Sequence, residues 1–210
     1  MKDFSVFEQA LKFSPVQQTQ NGVPSRAAPL EWKAGFQGET TRWQDLGQIA
    51  SVSRSDFEER ESFLCRTTTP CVEYACLMIE NALLLRTNRG GRVYAGFERL
   101  SSLKPIVDRY LRIADVSESV YIFGESDWQP PRHPNMRLIN LSPDFRLSRE
   151  LFLIANSSSL NIAFVAFDEA GFETSTPEQI RFRAIKTSDA AVVGGLSTAV
   201  EDVIDWTLAA

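Results

Sequence analysis

Three cysteines, a single histidine and the acidic residues that follow apolar segments are the groups of this 210-residue chain with chemistry to offer. Cys71 follows Pro70 where the pattern begins a helix, and unpaired N–H groups and the dipole of a first helical turn favour a thiolate. Cys65 stands just before it along the chain. The two are the candidate redox pair, joined on oxidation as a Cys65–Cys71 disulfide. Cys76 falls on the apolar stripe of the same helix and reads as a small buried hydrophobe. His133, inside PPRHPN, is the only histidine. A zinc site would have to recruit all three cysteines from separate segments, so His133 reads as a turn residue between Pro131 and Pro134, and no metal is expected.

The acidic and polar residues fall into a pattern. Glu98 and Arg99 end one apolar segment, Glu125 and Asp127 follow a second, and Asn140 and Asp144 follow a third. If the three segments are parallel strands, these residues converge on one sheet edge, where α/β proteins usually bind ligands. The plainer reading makes them caps and turn formers, as Pro143–Asp144 suggests. The candidate ligand- or partner-binding set is Glu98, Arg99, Gly124, Glu125, Asp127, Trp128 and Asn140. Within it, GESDW (124–128) has the make-up of a recognition loop. Gly124 permits a sharp exit from the strand, two carboxylates and the Trp128 ring follow, and Gln129–Pro130–Pro131 stiffens the return. An enzymatic alternative would use Glu125 and Asp127 as an acid–base pair, but nothing fixes their separation.

The standard catalytic frames are missing from the sequence. It has no GxxxxGK[ST] loop, no GxGxxG between strand and helix and no GxSxG elbow. No catalytic residue and no cofactor are therefore expected, and a binding or signalling module is favoured over an enzyme. Lys+Arg 22 against Asp+Glu 27 gives a net charge of −5, which argues against binding nucleic acid. No apolar run approaches the ~20 residues of a membrane span. An odd number of loosely spaced cysteines and no signal-peptide core point to the cytoplasm.

The elements that must position these groups follow from periodicity. Residues 3–12 read as a short helix. Residues 14–40 read as an irregular arm whose Trp32 and Phe36, with Trp43 beyond, are too apolar for a linker. The stretch 14–50 is expected to aid association. Residues 55–64 suggest a surface helix. Residues 70–87 form a largely apolar helix with Thr69 as its cap and Pro70 at its first position. Strands are expected at 92–97, 119–124 and 136–141, with a helix at 103–114 and a short one near 145–150. Residues 151–157 and 160–169 are too close in sequence to be anything but an antiparallel hairpin. An edge strand at 180–187 and a closing helix from Ser188 or Asp189 to Trp206 complete the chain. The fold class is α/β: a three-layer sandwich with a mixed, mostly parallel sheet, plus an N-terminal irregular or helical extension. The division is 1–60 for the extension and 61–210 for the α/β domain.

One long run carries more than pattern. Residues 71–128, from CVEYACLMIENALLL through AGFERLS and VDRYLRIADVSE to VYIFGESDW, together with LFLIANSSSLNIAFVAFDE, resemble the DICT sensory domain. The resemblance spans roughly 70–187 and implies a sensor or adaptor of bacterial signal transduction, common in cyanobacterial-type proteins and suggested for light responses. It implies a signalling partner such as a histidine kinase, a response regulator or a GAF-containing protein. A homodimer is also possible on this reading. No kinase H-box, GGDEF or receiver segment and no bilin-attachment context accompany it. The expectation is a non-catalytic module, stand-alone or part of a longer protein, acting by protein–protein contact and small-effector binding.

Overall fold

The structure is a computed structural model that describes residues 2–13, 43–85, 90–169 and 179–209. In chain order the elements are α1 (Val6–Lys12), β1 (Gln44–Gln48), α2 (Arg54–Glu59), β2 (Ser62–Thr67), α3 (Thr69–Leu84), β3 (Arg92–Arg99), α4 (Val107–Val116), β4 (Ser119–Glu125), β5 (Met136–Asn140), β6 (Glu150–Asn156), β7 (Asn161–Asp168), β8 (Phe182–Thr187) and α5 (Ala190–Ala209). Short 3-10 turns occupy Leu100–Ile106 and Arg146–Arg149. The arm residues Trp32 and Phe36 lie outside the described residues.

The strands form one sheet in the order β1-β2-β8-β7-β6-β3-β4-β5. The three-layer α/β architecture is as expected, with α2, α3 and α4 on one face and α1 and α5 on the other. The balance of strand directions is not. The β1–β2, β3–β4 and β4–β5 neighbours are parallel, while β2–β8, β8–β7, β7–β6 and β6–β3 are antiparallel. Parallel neighbours need a long crossover, which α4 supplies between β3 and β4; the polar turn between β6 and β7 is too short for one.

Two further expectations fail for one reason. The helix read at 55–64 stops at Glu59, and residues 62–67 are strand β2. That strand takes the outer side of β8 from Ser62↔Thr187 to Thr67↔Phe182, so β8 is interior and not the sheet's edge. Phe63 and Cys65 alternate into one core face, a period-two signal easily lost beside the charged run of α2. The first strand, β1, falls within what was read as arm and pairs with β2.

Helix α3 begins one residue earlier than read. Thr68 is the N-cap position, although its side chain makes no capping bond, and Pro70 lies in the first turn. Pro105 keeps Leu100–Ile106 in a tighter 3-10 turn before α4, whose deepest residues are Tyr110, Ile113 and Ala114, with Leu111 only partly covered. Asp189 starts α5, its carboxylate accepting from the N–H groups of Ala191 (2.9 Å) and Val192 (3.0 Å). The small α1 is held from below. The buried Glu150 accepts from Ser5 Oγ and from the N–H groups of Val6 (2.8 Å) and Phe7 (3.1 Å). Phe13 packs against Gly195, where a Cβ would lie 2.3 Å from the ring.

Candidate functional site

The C-terminal ends of β3, β4 and β5 do lie side by side. Arg99 is level with Glu125, and Gly124 with Asn140. An irregularity between Gly96 and Arg99 turns the end of β3 so that Arg99 Nε stands 3.6 Å from Glu98 and 3.7 Å from Glu125. Burial pushes the Glu98 carboxyl upward, against the pull of Arg99 and Arg181. Asn140 Oδ1 accepts the Ser126 N–H at 3.0 Å, and the Leu141 N–H donates to Gly124 O at 3.0 Å. The ends of β4 and β5 are thereby laced together.

Gly124 does not serve as the sharp exit. It is a buried strand residue, and a Cβ there would come within 3.2 Å of the Leu100 side chain, Leu100 N and Phe97 O. Its role is close approach between β4 and the turn that follows β3. Asp127 works in the same place: its carboxylate accepts from the Ser101 N–H (2.8 Å) and hydroxyl, which lowers its pKa. Trp128 is half-buried against the core on the α3–α4 face, with Lys104 Nζ 5.6 Å from its ring. Asp127 and Trp128 thus anchor the Leu100–Ile106 turn, while Glu125 and Asn140 face elsewhere.

They face a cleft of ≈ 380 Å³ lined by Glu125, Ser126, Asn140, Leu141, Ser142, Pro143, Phe145, Trp206 and Thr207. Its size falls at the low end of small-ligand sites. Phe145 and Trp206 form an aromatic wall, their rings 5.5 Å apart and tilted by 46°, and Trp206 remains 41% exposed. Sequence reasoning placed Trp206 only as a helix end. The available signal was that it is the one aromatic residue in α5. Phe145 offered none, because it meets Trp206 only through the fold.

The same sheet edge continues across β6, β7 and β8 as a row of arginine contacts, one to a backbone carbonyl and three to carboxylates. Arg149 donates to Asp168 O at 2.8 Å, Arg181 lies 3.8 Å from Asp168, and Arg66 and Arg183 each lie 3.6 Å from Glu169.

The thiols depart from expectation. Burial raises Cys71 despite its place in a first helical turn, and pushes Cys65 up to about 12, with Cys71 adding to the rise. Neither environment favours a thiolate. All three cysteines are free. His133 is more embedded than a surface turn residue: Nε2 lies 3.1 Å from Asp115, and Nδ1 accepts the Asn135 N–H at 3.1 Å. Among the described residues no group of three or more His, Cys, Asp or Glu is placed to hold a metal ion. Arg109 of α4 reaches the buried Glu80 of α3 at 2.8 Å.

Residues 74–168 match the family model described as DICT, the sensory domain in diguanylate cyclases and two-component systems. These residues carry a DICT sensory domain. The match opens within α3 and closes at Asp168, the last residue of β7, so all seven candidate strand-end residues lie inside it. Trp206 and Thr207, the far wall of the cleft, lie outside the DICT segment. No curated protein matches the chain. Among solved structures it is similar to the crystal structure of polyphosphate kinase from Porphyromonas gingivalis, with a TM-score of 0.44 and 12% identity. That alignment covers 64% of this chain and 24% of the other, so the chain spans about a quarter of that protein's length. Among the described residues no helix is long and apolar enough to cross a membrane.

Proposed function

We propose that this chain is a non-catalytic, cytoplasmic sensory module of bacterial signal transduction. A small effector binds in the cleft beside the ends of β4 and β5, and a signalling partner reads the adjoining surface. The observation that carries the reading is the coincidence of two independent features. The DICT match contains the strand ends, and the cleft opens on two of them, Glu125 and Asn140. The non-catalytic part is supported by how the carboxylates are used: Asp127 is bonded to Ser101, and Glu98 and Glu125 flank Arg99. The partner proposed is a signalling protein such as a histidine kinase, a response regulator or a GAF-containing protein. A light response would reach this module through such a partner's chromophore.

The test is a thermal-shift screen of a small-metabolite panel against the wild type, Trp206→Ala and Asn140→Ala, with capture of partners from native extract under both light regimes. A ligand at a hundred times its Kd stabilises the folded state by about 2.7 kcal/mol. The expected result is a compound that raises the wild-type Tm and loses that effect in both variants. A panel without any shift, together with a chain that captures no partner, overturns the proposal. The thiol alternative predicts a Cys65–Cys71 crosslink by mass spectrometry after mild oxidation; the raised thiols argue against it.

A further inference from the structure

Glu125 is the one charged residue that lines the cleft at the ends of β4 and β5, and it is an acid. Its ion-pair partner, Arg99, stands between two carboxylates, 3.6 Å from Glu98 and 3.7 Å from Glu125. One cation shared by two acids leaves a negative charge over. Neighbouring cations are engaged elsewhere: Lys2 pairs with Asp144 and Arg146 with Glu8, while Arg137 stands toward the other end of β5. Helix α5 reaches the cleft with its C-terminal turn, which supplies Trp206 and Thr207. The C-terminus of a helix is the negative end of its dipole, favourably matched by a basic residue in the last turn. That turn has none here, and the whole of α5 contains no lysine or arginine. Asp202 and Asp205, in its second half, are exposed. Within this field the Phe145 and Trp206 rings lie 5.5 Å apart, tilted by 46°, with Trp206 41% exposed. Ring faces attract cations, tryptophan most strongly. Other rings of the chain already hold one, Trp128 from Lys104 and Phe57 from Lys186. Among the described residues no cation lies over Phe145 or Trp206.

We propose that the effector of this cleft is a small organic cation, an ammonium whose alkyl or aryl substituents rest against the Phe145–Trp206 wall while its charge lies in the field of Glu125 and the C-terminal end of α5. The inference rests on the effector reading of the cleft and narrows it to one ligand class. A cleft of ≈ 380 Å³ suits a ligand of that size. A carboxylate or phosphate would meet no cation in the lining and would enter against the field. A metal ion would find a single carboxylate, where hard cations take about six oxygens or more, and its water shell gains little from the rings. An uncharged ring would use the wall and leave the carboxylate unanswered. An ammonium with apolar substituents answers both, and the remaining polar groups of the lining, the Ser126, Ser142 and Thr207 hydroxyls and the Asn140 amide, are neutral.

The test is a titration of the full chain followed by amide chemical shifts, with circular dichroism to follow the fold. The cationic probes are choline and phenethylammonium. Each is paired with an uncharged counterpart: the choline isostere in which tert-butyl replaces trimethylammonium, and phenethyl alcohol. Benzoate is the anion and calcium the metal ion. At least one cation is expected to move the Ser126, Asn140, Ser142 and Thr207 amides saturably, with its uncharged counterpart at least about fivefold weaker. Glu125→Gln should raise the Kd of the cation about threefold and leave that of the counterpart unchanged. Trp206→Leu should weaken the cation more than the counterpart. Should Glu125→Gln fail to fold, salt decides on the wild type: raising the ionic strength must weaken the cation and spare the counterpart. The proposal is overturned if cations and counterparts bind equally, or if benzoate or calcium moves these amides and the ammonium ions do not. It is equally overturned if the ammonium ions move only amides elsewhere, or none. In each of these cases the effector reading survives if another compound of the metabolite panel acts through Trp206 and Asn140, so the two failures are told apart.

Discussion

Glu150 is the residue where charge and burial are most directly opposed. Burial raises its carboxyl from 4.5 to about 7, while Ser5, the Phe7 and Val6 amides and Arg146 pull it down. Both protonation states fit the site. The carboxylate accepts all three bonds; the acid would donate from Oε1 to Ser5 Oγ and still accept both amides at Oε2. Because the folded pKa lies above the unfolded one, the folded state holds the proton more tightly between them. This group's stabilising effect is complete below 4.5 and is lost as pH rises through about 7. The loss is at most about 3 kcal/mol. Glu150→Gln copies the acid, its amide N–H donating to Ser5 and its oxygen accepting the two backbone amides. Urea unfolding across pH should show a falling stability for wild type in this window and a flat one for Glu150→Gln. Identical slopes would mean that Glu150 is not the group responsible. None of this was legible in the sequence, where Glu150 looks like a solvated charge beside Arg149. Its burial exists only because α1, far off in sequence, lands on it.

At the scale of elements, patterns that depend on near neighbours were legible and those that depend on distant ones were not. Helix α3, α4, the β6–β7 hairpin and α5 followed from local periodicity, and Pro70 and Asp189 marked real starts. The directions of β2 and β8 were hidden, because their pairing joins residues more than a hundred positions apart. The same division holds for the site. Convergence of Glu98, Arg99, Glu125 and Asn140 followed from parallel strands, whereas the Phe145–Trp206 wall required α5 to cross the opposite face. Helix α3 also carries a quantitative expectation. Ile79 is 0% exposed in the core beneath it, among Val72, Ala75 and Leu83. Ile79→Asp places an unpaired carboxylate there and should cost at least about 4 kcal/mol, read as a collapse of the urea midpoint. A variant with a near-native midpoint would put this face of α3 at the surface.

For the molecule as a whole, the DICT segment and the folding unit have different limits. Residues 74–168 supply β3 to β7, and β2, β8, α1 and α5 come from outside. The face under α1 and α5 includes Tyr94, Phe123, Phe152, Ile154, Ala163 and Val165. Its cover is Val192, Val193, Leu196, Val200, Val203 and Ile204 of α5, with Val6, Phe7 and Ala10 of α1. Without that cover, five strands would expose one whole apolar face, a patch far beyond what a monomer tolerates. Strand β7 would also lose β8 and become a long apolar edge. A fragment of residues 74–168 is therefore expected to keep strand and helix signal in the far ultraviolet but to bind ANS and melt without a cooperative transition, as a loosely packed state does. The full chain should bind no ANS and unfold in one step. If the fragment unfolds cooperatively and leaves the dye dark, the second apolar face is dispensable. In that case α5, and with it the Trp206 wall of the cleft, is an addition to a core that already stands alone.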